Sequence, residues 1–186
     1  MKHSEIVQNY LIHSTQTIGS LDIQQITHAI QLIHEAWQQG RQIIVFGNGG
    51  SALTASHYIT DWNKSAVLTH GKKFRGVCLN DNMGLITAYS NDIAYEKVFS
   101  EQLKNTLEPK DLVIAISGSG NSPNVINAIT YANENGGITL GICGFDGGKL
   151  KQIAQHHVWV NIHDMQITED LHLTFCHLVM KTLCQK

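Results

Sequence analysis

Five short apolar runs, separated by segments long enough to form helices, indicate the fold class of this 186-residue chain. They are RQIIVF (41–46), FRGVCL (74–79), DLVIAIS (111–117), GITLGICG (137–144) and HVWVNI (157–162). The helix that follows the first run is predicted over residues 51–62. Strands without polar alternation, joined by helical crossovers, are typical of a parallel sheet covered by helices on both faces. The pattern predicts one α/β domain over residues 1–186, a three-layer αβα sandwich of the flavodoxin or Rossmann-like kind with a five-stranded parallel sheet.

The first forty residues precede this alternation and are predicted to form two helices. Residues 22–39 repeat apolar side chains at steps of three and four, which is a helical stripe. Together the two helices carry more apolar surface than a compact α/β core at 41–186 requires. We therefore expect residues 1–40 to contribute to a homo-oligomer.

Charge and cysteine content narrow the functional classes. The net charge is −2 without a basic run, which argues against nucleic acid as the main ligand. No stretch reaches the ~18 apolar residues of a membrane span, so no membrane partner is expected. The four cysteines form no C-x-x-C pair and are expected to be free thiols in a reducing compartment. The sequence thus predicts a cytoplasmic protein.

Two glycine-rich turns follow the first and third apolar runs. They are GNGGS (47–51) and SGSGNS (117–122). At the carboxyl ends of parallel strands, glycines let a ligand approach the backbone, while helix N-termini and serine hydroxyls offer donors to phosphate. The alternative is that these serines and asparagines only cap the following helices. Neither turn contains a lysine or a nucleotide-binding signature, which favours a monophosphate held by neutral donors.

A second pattern combines histidines with carboxylates. His57 and Asp61 are four residues apart and share one helix face. On the last helix Glu169 and His177 lie ~80° apart around the axis, and His172 is expected to border the same face. Two histidines and two carboxylates match a zinc site, yet the spacing alone favours a surface ion pair and a buried histidine.

The motifs together resemble the sugar isomerase (SIS) domain family, and within it the phosphoheptose isomerases. The similar segments cover nearly the whole chain: GNGGSALTASH, Asn91-Asp92, ISGSGNSPNVINAI, GFDGGKL and a final helix with two histidines five residues apart. The resemblance implies conversion of sedoheptulose 7-phosphate to D-glycero-D-manno-heptose 7-phosphate through an enediolate, in heptose biosynthesis for lipopolysaccharide or capsule. It also implies a zinc ion and a homotetramer with sites at subunit interfaces.

The resemblance also implies roles for individual residues. Asp61 would be the catalytic base and His177 the acid. The zinc ligands would be His57, Asp61, Glu169 and His177. The residues expected to contact the sugar phosphate are Asn48, Gly49, Gly50, Ser51, Asn91, Asp92, Ser117, Gly118, Ser119, Ser122 and Glu169.

Four site positions depart from the family pattern. Asp61 replaces a glutamate, Glu169 a glutamine, and Gly118 the threonine of Ser-Thr-Ser. Ser65 replaces an arginine, with Lys64 one position earlier. These departures leave the sugar open, and they leave two alternatives to the enzyme. One is a non-catalytic sugar-phosphate-binding module; the other is a tetrameric adaptor that associates with the replication initiator. The converging histidines and carboxylates favour the enzyme.

Overall fold

The computed structural model describes residues 2–185 and has a five-stranded sheet at its centre. The strands are β1 (Ile43–Gly47), β2 (Gly76–Cys78), β3 (Leu112–Ser117), β4 (Ile138–Cys143) and β5 (His156–Trp159). Their order is β2-β1-β3-β4-β5, and each neighbouring pair is parallel. The predicted parallel sheet is confirmed, and β1 and β3 are neighbours, so the two glycine-rich turns lie side by side.

Helices cover both faces of this sheet. They are α1 (His3–Gly19), α2 (Ile23–Gln38), α3 (Gly50–His70), α4 (Met83–Asp92), α5 (Val98–Thr106), α6 (Pro123–Glu134), α7 (Gly148–Ile153) and α8 (Met165–Leu183), with a 3₁₀ turn at Tyr95–Lys97. Residues of α2, α3 and α8 pack in one core with Ile43 and Val45. Residues of α5, α6 and α7 pack in the other with Ile44 and Phe46. Because successive β1 side chains enter opposite cores, the strand is apolar throughout.

The two N-terminal helices differ in how they pack. The apolar stripe of α2 lies in the core through Ile33 and Trp37. In contrast, α1 touches the core mainly through Tyr10, beside Ile167 and Leu171. Several of its apolar side chains are exposed, namely Ile6, Val7, Leu11, Ile12 and Ile18. The surplus apolar surface expected from the sequence therefore belongs to α1.

Helix α3 is longer than the sequence analysis predicted. Its expected end was Trp62, but it continues to His70. The residue that ends it is Gly71, whose φ of 66° is left-handed and whose amide donates to the Val67 carbonyl. Since no glycine or proline interrupts the helix before that point, Lys64 lies within it.

Within residues 2–185, no helix combines the length and the apolar character that crossing a membrane demands. The four cysteines are free thiols, as predicted; Cys78, Cys143 and Cys176 are buried and Cys184 is half-buried.

Candidate active site

Helices α3 and α8 run side by side in the same direction. The Tyr58 hydroxyl donates to the His172 carbonyl at 2.5 Å, and one turn further the Trp62 indole donates to the Cys176 carbonyl at 3.1 Å. These two buried rings fix the register of the helix pair. This register places His57 of α3 beside His177 of α8.

Three predicted metal ligands meet there. His57 Nε2 lies 3.2 Å from Asp61 Oδ2 and 3.4 Å from His177 Nε2, and His177 Nε2 lies 4.0 Å from Asp61 Oδ2. Atoms at the corners of a tetrahedron with zinc bonds of 2.0–2.1 Å are about 3.3 Å apart. The nitrogen and oxygen atoms therefore fit a zinc-sized ion. The side chains are 44%, 17% and 48% exposed for His57, Asp61 and His177, so a substrate can reach them.

A sulfur atom borders the same cluster. Cys176 Sγ and the ligand atoms of His57 and Asp61 lie within 4.8 Å of one another. Burial, together with the nearby Asp61 carboxylate, raises the pKa of the Cys176 thiol to about 12. A coordinated metal deprotonates a thiol outright. Sequence reasoning placed Cys176 among the buried thiols; the available signal was its position next to His177.

Glu169, predicted as the fourth metal ligand, lies about two turns away along the helices. A Cβ built on Gly50 would be 2.5 Å from Glu169 Oε1, so the carboxylate covers the first turn of α3. Among residues 2–185, no hydrogen bond or ion pair joins Glu169 to His57, Asp61 or His177. The carboxylate lines a neighbouring cavity instead.

His172 does not border the site, contrary to the sequence expectation. Its side chain is 1% exposed and turns into the core, where no protein group pairs with either ring nitrogen. Burial lowers the pKa of His172 to about 4. The histidine is therefore neutral at ordinary pH.

The two glycine-rich turns enclose a polar cavity of about 130 Å³ at the carboxyl ends of β1 and β3. Its walls combine both turns with the start of α8. The lining residues are Asn48, Ser51, Ile116, Ser117, Gly118, Ser119, Ser122, Met165 and Glu169. Six of the residues predicted from the turns are thus brought together with Glu169; Met165, four residues before Glu169 on the same helix face, was missed.

The serine hydroxyls in this cavity do not cap helices. Ser117 Oγ accepts from the Gly120 amide at 3.2 Å, and Ser119 Oγ accepts from the Asn121 amide at 3.3 Å. Ser122 precedes α6 but its side chain makes no capping hydrogen bond. A hydroxyl that accepts a bond still has its proton to donate. The arrangement favours anion binding over the capping alternative.

The first turn of α3 adds main-chain donors to the cavity. Its N-cap is Gly49, whose φ of 53° is left-handed, and no side chain caps the helix. The N–H groups of a helix's first turn lack intrahelical partners and carry partial positive charge. Gly50 and Ser51 can therefore offer amides to an anion.

Asn48 is held by its neighbours. It exchanges hydrogen bonds of 2.8 and 2.9 Å with Asn124 of α6, and its side-chain oxygen also accepts from the Tyr95 hydroxyl at 2.9 Å. These contacts tie the first turn to α6. Asn124 and Tyr95 were not identified from the sequence, since neither belongs to a glycine-rich turn.

Three remaining candidates lie outside the cavity. Asn91 and Asp92 are exposed at the end of α4, joined to each other by a 2.8 Å hydrogen bond. Lys64 Nζ lies 3.8 Å from Asp61 Oδ1, so its positive charge lies beside the cluster of His57, Asp61 and His177.

The family relationship is visible in sequence and in structure. The sequence model described as the SIS domain matches residues 9–144. The chain belongs to the SIS domain family. It is 34% identical to a probable phosphoheptose isomerase of Thermoplasma acidophilum, over 96% of this chain and 98% of that protein. It is 32% identical to the phosphoheptose isomerase of Aliarcobacter butzleri, over 98% and 95% of the two chains.

Solved structures agree with this relationship at the level of fold. A phosphoheptose isomerase from Francisella tularensis superimposes with a TM-score of 0.92, covering 100% of both chains at 21% identity. The predicted SIS fold is thereby confirmed. The sequence relatives confirm the resemblance to phosphoheptose isomerases and the expectation that the chain is an enzyme of this sugar-phosphate isomerase family.

Proposed function

We propose that this SIS-domain protein is a metal-dependent aldose–ketose isomerase that converts sedoheptulose 7-phosphate to D-glycero-D-manno-heptose 7-phosphate. The observation that carries the proposal is the presence of two complementary sites along α3. The serine-lined cavity is at its first turn, and the cluster of His57, Asp61 and His177 follows. His57 is six positions after Ser51, about 9 Å along a helix, which suits the length of a sugar phosphate.

The cavity would bind the phosphate. Hydroxyls of Ser51, Ser117, Ser119 and Ser122 supply neutral donors, and the first turns of α3 and α6 add amides and the positive ends of their dipoles. Anchoring the phosphate at one end fixes the reacting carbons against the cluster at the other. Such positioning supplies much of the advantage of an enzyme over free solution.

The cluster of His57, Asp61 and His177 would transfer the proton between neighbouring carbons of the sugar. Asp61 Oδ2 faces both histidines, so Oδ1, on the side of Lys64, is the oxygen available to take the proton from the carbon acid. His177 Nε2 faces the other two side chains and would hold the metal, so the proton that His177 donates to the carbonyl oxygen as the enediol forms would come from Nδ1. Asp61 thus takes the base role that the family gives to a longer glutamate.

A zinc ion would be held by His57, Asp61 and His177. When bound, it supplies Lewis-acid stabilisation of the negative charge that develops on the substrate oxygens. Two residues are candidates for a fourth ligand: Glu169, indicated by the resemblance, and Cys176, indicated by its position beside the cluster.

The working form is proposed to be a homotetramer. Exposed apolar side chains on α1, including Leu11 and Ile12, line an open groove that a second copy would cover. The resemblance implies sites at subunit interfaces. Contact of Asn91 and Asp92 with sugar hydroxyls across such an interface is part of the proposal.

An NMR or coupled assay with sedoheptulose 7-phosphate tests the function. We expect interconversion with zinc present, loss on chelation and recovery when zinc is restored. Binding of sugar phosphate without turnover would support the non-catalytic binding module. Absence of metal, binding and turnover would support the adaptor.

A further inference from the structure

The glycine-rich turn at 117–122, hereafter the serine-rich turn, is held from outside by a second loop. This second loop spans residues 144–149, from the end of β4 into the first turn of α7. The Gly144 amide donates to the Gly118 carbonyl at 2.9 Å, and the Leu150 amide donates to the Gly120 carbonyl at 2.9 Å. Backbone hydrogen bonds from the segment after β4 therefore support the turn that lines the proposed phosphate cavity.

The Asn121 side chain joins these two loops. Its Oδ1 accepts from the Lys149 amide at 3.0 Å, and its Nδ2 donates to the Ser119 carbonyl at 3.0 Å. The Asn121 amide also donates to Ser119 Oγ at 3.3 Å. Both polar atoms of the side chain thus bond backbone, and Asn121 is not among the residues that line the cavity.

The contact between the loops leaves no room for extra atoms. Gly120 has a φ of 67°, and a Cβ there would overlap the Gly147 carbonyl oxygen. Gly148 has a φ of 54°, and a Cβ there would be 2.5 Å from the Ser119 carbonyl oxygen and 2.7 Å from Asn121 Nδ2. The backbones of the two loops are in direct contact at this point, and the Asn121 side chain fits between them.

We propose that Asn121 is a positioning residue, which fixes the Ser119 hydroxyl for phosphate binding by tying the serine-rich turn to the 144–149 loop. The inference rests on the proposed function. Ser119 is bonded at its carbonyl by the Asn121 side chain and at its hydroxyl by the Asn121 amide. A binding loop held in its bound conformation loses less entropy when the ligand arrives.

Asn121→Ala would remove two hydrogen bonds without touching a group that contacts substrate. We expect the affinity for inorganic phosphate to fall about tenfold, and KM for the sugar phosphate to rise by a similar factor, from the worth of two such bonds. The value of kcat should stay within about twofold, because the proton-transferring groups lie further along α3 and α8. Hydrogen exchange at the Lys149 amide should accelerate.

Two further variants make the test decisive. Asn121→Gln keeps the amide on a longer side chain that cannot span the same two partners, and it should raise KM as the alanine variant does. Asn135→Ala removes an exposed amide whose partner is the Tyr131 carbonyl, and it should leave KM unchanged.

The outcomes separate this inference from the proposed function. Wild-type affinity for phosphate in a folded Asn121→Ala protein overturns the positioning role, as does a fall in kcat at constant KM. If the alanine variant does not fold, Asn121→Gln and exchange at the Lys149 amide decide the question. If the wild-type protein neither binds phosphate nor turns over a sugar phosphate, the proposed function fails, and this inference fails with it.

Discussion

The Glu169 carboxylate lies against the Gly50 backbone, so an acidic group faces the cavity in which the serines and helix ends favour an anion. We expect Glu169→Gln to bind inorganic phosphate about fivefold more tightly, because the charge repulsion, roughly 1 kcal/mol in a solvent-open site, is removed. Titration calorimetry of the two proteins measures this. Weaker binding in the variant would mean that Glu169 holds the substrate or its metal.

Asp61 is the candidate base. Asp61→Asn should lower kcat at least 100-fold, the usual contribution of a positioned base, while the fold is kept. Asp61→Glu should lose less, because it keeps a carboxylate and adds the reach found in the family. Circular dichroism checks folding, and Glu35→Gln on the exposed side of α2 is the matched control. Near-normal turnover in Asp61→Asn would remove this mechanism.

Cys176 and Glu169 are the two candidates for the fourth ligand of the proposed metal ion. We expect the protein loaded with Co²⁺ to show a near-ultraviolet sulfur-to-cobalt charge-transfer band that Cys176→Ser abolishes, since thiolates are favoured ligands of such ions. His57→Ala should lose stoichiometric metal, whereas His34→Ala should keep it. A wild-type spectrum without the band, combined with metal loss in Glu169→Gln, would assign the position to the carboxylate.

The Met165 side chain fills the space that a side chain at position 118 would need. A Cβ on Gly118 would be 2.5 Å from Met165 Sδ, so Gly118→Thr should cost about 1–3 kcal/mol in the free energy of unfolding. The double variant Gly118→Thr with Met165→Ala should recover part of that loss, because the two changes share a contact. Urea unfolding measures both. Simple additivity of the two changes would show that the methionine is not the obstacle.

His172 should make stability depend on pH. Its pKa is about 4 in the folded protein and about 6.5 when unfolded, so below pH 6.5 protons bind preferentially to the unfolded chain. Stability should therefore fall between about pH 6.5 and pH 4, by up to about 3 kcal/mol. In His172→Gln the slope over this range should be shallower, while His34→Gln should retain it. Equal slopes in all three proteins would contradict the assignment.

Most of the architecture was predictable because the signals are local. Strands buried on both faces must be apolar at every position, and this identified β1, β3 and β4 directly. The end of α3 was placed too early, although Gly71 was a visible stop signal. The short loop from Gly144 to Lys149 was recognised only as a family motif, since its contacts with the serine-rich turn involve backbone atoms of residues distant in sequence.

The sheet, the two glycine-rich turns at its carboxyl edge and the shared face of His57 and Asp61 can all be predicted from local sequence patterns. Which α8 side chains join that face cannot, because it depends on how α8 packs against α3. Spacing along one helix fixes angles around its own axis, but the rotation and translation of α8 against α3 follow from the packing of Tyr58 and Trp62 in the core. That packing places His177 and the Cys176 sulfur beside His57 and Asp61, and it leaves the Glu169 carboxylate at the serine-lined cavity.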